Sequence, residues 1–179
     1  FARVLYRGMQ PDGVRKELLD ASHGGRGGGG FPAGMKWNFL AGAGDPERYM
    51  ICNADEGDPG AWVNRVVMEG DPHLLIEGVT LGGFATSSQR AFIYIREEYP
   101  LAVERVEQAI RQAEEAGLLG DNILGSDFSY QIEVVKGAGS YVCGEETGLI
   151  SSIQGQRGQP RIRPPFPAAV GVFMKPSNV

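Results

Sequence analysis

The sequence predicts a three-layer α/β domain, Rossmann-like, around a mainly parallel sheet. Three observations carry this expectation. Helical and extended patterns alternate along the chain, as they do when crossover helices join parallel strands. The extended segments around 49-YMIC-52 and 91-AFIYI-95 are short apolar runs that read as buried strands. The segment 74–84 carries Leu74, Ile76, Val79, Leu81 and Phe84, a helix apolar nearly all round and therefore buried.

Taken in order, residues 1–10 read as a frayed lead-in. Pro11-Asp12-Gly13 opens a helix over about 12–22, with Val14, Leu18 and Leu19 on one face. A glycine-rich stretch follows, then a short helix over about 34–42 and a turn at Gly44-Asp45-Pro46. A strand over 48–52 ends at Asn53. Residues 63–87 read as helix, interrupted near Gly70-Asp71-Pro72, where Pro72 suits a first turn. A strand follows over 89–95. Pro100 opens a helix over 101–116 with Val103, Val106 and Ile110 inward, and Gly117 caps it. A loop leads to a strand over 130–135, and a last helix starts near Glu145. The rest, through 171, is a basic, Pro-rich loop.

Composition bounds the function. The 179 residues form one domain, long enough for a proper core. A net charge of −5 argues against a nucleic-acid surface. No apolar run is long enough to span a membrane. Cys52 and Cys143 are the only cysteines, which excludes a disulfide framework and suits a reducing, cytoplasmic setting. His73 has no Cys or His at metal-ligand spacing, so no metal ligand is assigned. The chain opens without Met and stops after a loop-like Lys-Pro-Ser-Asn, as if cut from something longer.

The chemistry concentrates in four stretches. The first is 24-GGRGGGGFPAGMKWNF-39. The 27 glycines of the chain are about twice the usual ~7%, and they cluster here. Glycines permit φ > 0 and close approach, and successive free N–H groups cradle an anion or a flat ring. A helix start beside such a loop suits phosphate. Lys36 adds a cation; Phe31, Trp37 and Phe39 add ring faces. A nucleotide or flavin fits this set better than a flexible linker does. It is not a P-loop, because Trp37 follows Lys36 where Ser or Thr is needed.

The second stretch, 53-NADEGDPGAW-62, puts Asp55, Glu56 and Asp58 just past a strand end, where open α/β sheets bind ligands. It is either a solvated acidic turn or a set of acceptors for sugar or ribityl hydroxyls. The third, 137-GAGSYVCGEETGLISSIQG-155, runs from a strand into a helix whose first turn holds Glu145 and Glu146. These either cap the helix or face a ligand. Cys143 reads as a packing residue, not a nucleophile. The fourth, 155-GQRGQPRIRPPFPAAVG-171, brings Arg157, Arg161, Arg163 and Phe166. A proline-rich ligand for a recognition domain is its rival reading.

Together GRGGGGFPAGMKW, CNADEGDPG, GAGSYVCGEETGLI and QRGQPRIRPPFPA closely resemble the flavin-binding, NADH-oxidising subunit of respiratory complex I. Its relatives serve NAD-linked and electron-bifurcating hydrogenases and formate dehydrogenases. The resemblance runs from about Pro11 to the end. EGDPHLLIEG and the segment from YPLAVERV to GDNILGSDFSYQIEV resemble the hydrogenase and formate dehydrogenase relatives more than complex I.

The resemblance implies FMN as cofactor and NAD(H) as substrate. It places Gly25, Gly27, Lys36, Asn53, Asp55, Tyr141, Gly144 and Glu145 against FMN. Gly28, Phe31, Phe39, Glu56, Asp58, Glu146, Arg163 and Phe166 would face NADH, with the phenylalanines stacking on adenine. Gly28, Glu56 and Glu146 border both. No catalytic acid or base is required, since hydride passes between nicotinamide and flavin. The partners implied are iron–sulfur subunits of a multi-subunit oxidoreductase, including a thioredoxin-like [2Fe–2S] subunit.

There are departures. The family usually has Ala at 29 and Thr at 33, where this chain has Gly and Ala. Complex I members tend to have Glu at 58 and Lys at 163; Asp58 and Arg163 keep the charges. The family continues past 179 with an Asn-Asn flavin contact, a ubiquitin-like domain and a helical domain with four cysteines for a [4Fe–4S] cluster. Residues 1–179 are thus expected to be the FMN/NADH-binding domain alone, with weakened hold on FMN and no cluster ligands. Two other functions compete: a flavin-free docking subunit that keeps the fold, and a sensor that binds NAD(H) without chemistry.

Overall fold

A computed structural model describes residues 1–27 and 29–179. At its centre β1 (Tyr49–Ala54), β2 (Arg90–Arg96) and β3 (Gln131–Gly137) run parallel, and a two-residue strand β4 (Ser177–Asn178) joins the free edge of β1. The order is β3-β2-β1-β4. Tyr49 faces both Arg90 and Ser177, and Arg90 faces Gln131. All four strands point one way, so their C-terminal ends open on one edge of the sheet, the edge that carries the motifs.

The helices are α1 (Ala2–Tyr6), α2 (Pro11–Asp20), α3 (Ala33–Ala41), α4 (Val63–Gly70), α5 (Pro72–Thr86), α6 (Pro100–Glu115) and α7 (Glu146–Ile153). Proline opens α2, α5 and α6, where its missing N–H costs nothing. Asp71 breaks α4 from α5 and caps α5 by accepting from the Leu74 N–H at 3.2 Å.

Both faces of the sheet are buried, which is why the strands read as unbroken apolar runs. On one face Met50, Ala91, Ile93 and Ile95 meet Ile76 of α5 and Ala102, Val103, Val106 and Ile110 of α6. On the other, Tyr49, Ile51, Phe92 and Tyr94 meet Leu149 and Ile150 of α7 and Val172. Each such fully buried aliphatic contributes about 1.5–3 kcal/mol. The α/β class, the parallel sheet and the three layers are as the sequence predicts.

Three local expectations are corrected. The lead-in is a helix, α1, and Phe1 before it packs edge-on against Phe84 and Phe128 at 5.7 and 5.8 Å. The loop-like Lys-Pro-Ser-Asn contributes β4. The strands run further toward the site than their apolar runs suggest: β2 reaches Arg96 and β3 reaches Gly137.

Among the described residues one hydroxyl of the apolar core is left unsatisfied. Tyr130 is fully buried and stacked on Phe128 at 5.5 Å, yet its hydroxyl has no partner. Burial pushes that hydroxyl's ionisation far up. An orphaned buried donor costs about 1–3 kcal/mol. Tyr130→Phe should therefore raise stability by about 1 kcal/mol. Urea midpoints of the two proteins measure this, and a lower midpoint for the variant would mean the hydroxyl has a partner.

Candidate functional site

The glycine loop is pinched at its base. Gly24 and Pro32 form an antiparallel bridge, the Gly25 N–H donates to the Phe31 carbonyl at 2.8 Å, and the Ala33 N–H donates to His23 at 2.9 Å. Beyond the pinch the loop stands open. A Cβ placed on Gly27 or Gly29 would meet nothing within 4 Å. Gly28 lies outside the described residues. The chain then enters α3, whose N-terminus no side chain caps. The Ala33 and Met35 N–H groups are already donated to the His23 and Pro32 carbonyls, so the open glycine loop carries most of the capacity for an anion here.

The end of β1 supplies the second wall. Asn53 donates its amide to the Gly144 carbonyl at 2.8 Å and accepts from the Asp55 N–H at 3.1 Å. It thereby ties β1 to the turn at Tyr141–Gly144. The Asp55 side chain is 1% exposed. Its Oδ1 pairs with Arg96 at 3.3 Å, and its Oδ2 has no partner among the described residues. Burial raises the Asp55 pKa, and Arg96 opposes the rise.

Glu56, next in sequence, is 7% exposed. Its carboxylate turns back onto α4 and accepts from the N–H groups of Val63, Asn64 and Arg65 at 2.6, 3.0 and 2.9 Å. Asp58 remains exposed, with Oδ1 accepting from the Gly60 N–H at 3.0 Å.

The third wall is the start of α7. Glu145 is the cap: its Oε2 accepts from the N–H groups of Thr147 and Gly148 at 2.9 and 3.0 Å. Burial pushes its pKa up, but the bonds from Thr147 and Gly148 and the nearby Arg163 hold it below the usual carboxylate range. Glu146 ion-pairs with Arg163, whose guanidinium also stands 3.8 Å from Glu145. Lys36 stands 3.8 Å from Glu146 and donates to the Val179 carbonyl at 2.9 Å. Thr147 anchors the basic segment by accepting from the Arg161 N–H at 2.8 Å. Cys143 is buried in the core beneath, a packing residue.

The structure thus gathers Asn53, Asp55 and Gly144 into one seam, and Lys36, Glu145, Glu146 and Arg163 into one charged cluster. It does not gather the rings. Phe31, Phe39 and Phe166 are 43%, 55% and 58% exposed, and none joins an aromatic pair among the described residues. Tyr141 is 74% exposed. Arg96, the partner of Asp55, escaped sequence reasoning. Its one signal is an arginine closing the apolar run FIYI. Among the described residues no group of three or more His, Cys, Asp or Glu could hold a metal, and no helix is long and apolar enough to cross a membrane.

A model of the Nuo51 FMN-binding domain matches residues 19–179. The mitochondrial NADH dehydrogenase [ubiquinone] flavoprotein 1 of Dictyostelium discoideum is 46% identical over 94% of this chain and 36% of its own length. NADP-reducing hydrogenase subunit HndC of Solidesulfovibrio fructosivorans is 53% identical over 87% of this chain and 31% of its own length. A crystal structure of an NAD+-reducing [NiFe]-hydrogenase in the air-oxidized state superimposes with a TM-score of 0.85 at 38% identity, over 94% of this chain and 28% of that one. The chain therefore spans less than half the length of these relatives. With the fold, the four motifs and the family match in agreement, this chain belongs to the family of the Nuo51 FMN-binding domain.

Proposed function

We propose that this chain is the flavin- and dinucleotide-binding part of an NAD(P)H-oxidising or NAD(P)-reducing oxidoreductase subunit. The observation that carries the reading is the convergence, at the C-terminal edge of a parallel sheet, of an open glycine loop, a seam with an orphaned buried carboxylate oxygen, and a cluster of two cations and two carboxylates. These features fit FMN: N–H groups and Lys36 for its phosphate, Asp55 and Asn53 for its polyol hydroxyls, and Glu145 and Tyr141 at the turn. Gly25, Gly27 and Gly144 keep the backbone close to it. When bound, FMN accepts or gives a hydride at nicotinamide.

The chain's own residues then position and screen. Arg163 and Lys36 attract an anionic dinucleotide, and Phe31, Phe39 and Phe166 offer exposed faces to an adenine ring. Asp58 extends toward ribose hydroxyls. Glu56 acts indirectly, by fixing the loop that carries Asp55 and Asp58. Gly28 of the glycine stretch borders both ligands in this reading. No side chain need move a proton, so the contribution is orientation and electrostatics.

The partners are iron–sulfur subunits of a multi-subunit hydrogenase, formate dehydrogenase or complex I-like enzyme, including a thioredoxin-like [2Fe–2S] subunit, in the cytoplasm. Cys52 and Cys143 cannot ligate a [4Fe–4S] cluster between them, so electrons leave to clusters held elsewhere.

The test is made on the full-length protein. It should take up FMN with flavin absorbance and reduce ferricyanide with NADH. A colourless protein that neither binds added FMN nor oxidises NADH would be a docking subunit; one that binds NADH without oxidising it would be a sensor.

Glu146 allows a sharper test. It neutralises Arg163 and sits near Lys36, so it competes with an anionic substrate for both cations. Glu146→Gln should lower the KM for NADH about 3-fold, roughly 0.6 kcal/mol, with FMN retained. A rise in KM instead would mean that Glu146 contacts the dinucleotide directly.

A further inference from the structure

We propose that Arg96 is the positioning residue of the flavin site, fixing Asp55 by one oxygen so that the other is held as an acceptor for a ligand hydroxyl; this rests on the FMN reading above. Three observations support it. Arg96 closes β2 beside the end of β1, and its side chain is 12% exposed, so it is a built-in group and not a surface arginine. Its guanidinium divides between two carboxylates, with Nη1 at 3.3 Å from Asp55 Oδ1 and Nη2 at 2.7 Å from Glu98 Oε1. That leaves Asp55 Oδ2 buried without a donor, on the Gly144 side of the seam.

The backbone makes room for this arrangement. A Cβ on Gly57 would stand 3.0 Å from Arg96 Nη1 and 2.8 Å from the Tyr141 ring, so glycine there leaves room for Arg96 to reach Asp55 without displacing either side chain. An unpaired buried carboxylate oxygen is costly unless something donates to it. A polyol hydroxyl does so, and the fork geometry of arginine holds the carboxylate in place for it. Glu98 balances the second arm of the guanidinium and leaves the first for Asp55.

The consequence is a pH signature. Burial disfavours the Asp55 carboxylate, and Arg96 is what opposes that; the other titratable groups on the seam are Glu98, Tyr94 and Cys143. Removing Arg96 moves the Asp55 pKa further up. FMN affinity then falls as the pH is lowered through that raised value, from a higher starting pH than in the parent.

The test strips full-length protein of flavin and titrates FMN by fluorescence quenching between about pH 5.5 and 8.5, spanning the range above the usual carboxylate pKa. Arg96→Gln should weaken FMN about 10-fold at pH 7.5 and more at pH 5.5, roughly 1.4 kcal/mol at the first. Asp55→Asn should bind weakly with a flat profile, and adding Arg96→Gln to it should change nothing further. Arg96→Lys keeps the charge but not the fork, and should fall between. A curve for Arg96→Gln parallel to the parent at every pH, or full additivity with Asp55→Asn, would overturn the proposal. If Arg96→Gln does not fold, Arg96→Lys decides by the same steepening or its absence. A parent protein that takes up no FMN at any pH sinks the FMN reading itself; a parent that binds, with unaltered Arg96 variants, sinks only this inference.

Discussion

A chain carrying Gly83→Ala is expected to lose about 2 kcal/mol of stability and to melt roughly 4–8 °C lower. Two effects compete at this position. Alanine in a helix interior gains about 1 kcal/mol over glycine. Against that, a Cβ on Gly83 would stand 2.2 Å from two ring carbons of Tyr130 and 2.6 Å from its hydroxyl oxygen. That ring is fully buried, so it has no flexible end to swing away. Either α5 lifts from the sheet or Tyr130 leaves its stack with Phe128. Overpacking of this kind costs about 1–3 kcal/mol and sometimes more, so the clash wins over the propensity. Adding Tyr130→Leu should restore most of the loss. Urea unfolding decides: a midpoint for Gly83→Ala equal to the parent's would mean that α5 sits further from Tyr130 than described.

Glu56→Ala is expected to cost about 2–3 kcal/mol and to raise the KM for NADH about 10-fold without expelling FMN. The carboxylate accepts from three consecutive N–H groups at the start of α4. Loss of a helix cap typically costs about 1 kcal/mol, and bonds to a charged group about 1.5–3. Glu56 is 7% exposed, so water replaces these bonds poorly. The loop that carries Asp55 and Asp58 is fixed at this point, with the Glu56 carbonyl also accepting from the Tyr99 hydroxyl at 2.8 Å. Glu56→Gln keeps one acceptor and should show under half the effect. Amide exchange at residues 63–65 should quicken in step with the fall in stability. Unaltered stability and exchange with a lost hold on NADH would instead return Glu56 to the substrate.

The two residues Asp55 and Glu56 show what a sequence conceals. Adjacent acids in a loop after a strand look alike in one dimension. The backbone path then turns one into the seam beside Arg96 and the other back onto a helix that begins seven residues later. The layers were legible because apolar runs such as FIYI need cover on both faces, and because proline marks where α5 and α6 begin and glycine where α6 ends. The anion loop was legible because few other uses explain so many glycines beside a helix start. The strand β4 was not, since two residues between a proline and the end of a loop carry no period. Arg96 was not, because a charged residue closing an apolar run reads as the point where the chain meets water. Lys36 was legible as a cation, but its bond to the Val179 carbonyl joins residues 143 apart, which no local pattern foretells.

The pairings of the sheet also differ in their range along the chain. Tyr49 and Arg90 pair at a separation of 41 positions, and Arg90 and Gln131 at the same separation, but Tyr49 and Ser177 only at 128. Closing the longer loop costs about 1 kcal/mol more in chain entropy, and a two-residue strand returns little for it. Of the three strand pairings, that of β1 with β4 is therefore the one of longest range and the least supported by local chain. Lys36 is bonded to the residue that follows this edge. The cation facing Glu146 is thus tied to the pairing of longest range in the sheet, so the placing of that charge depends on contacts that span most of the chain.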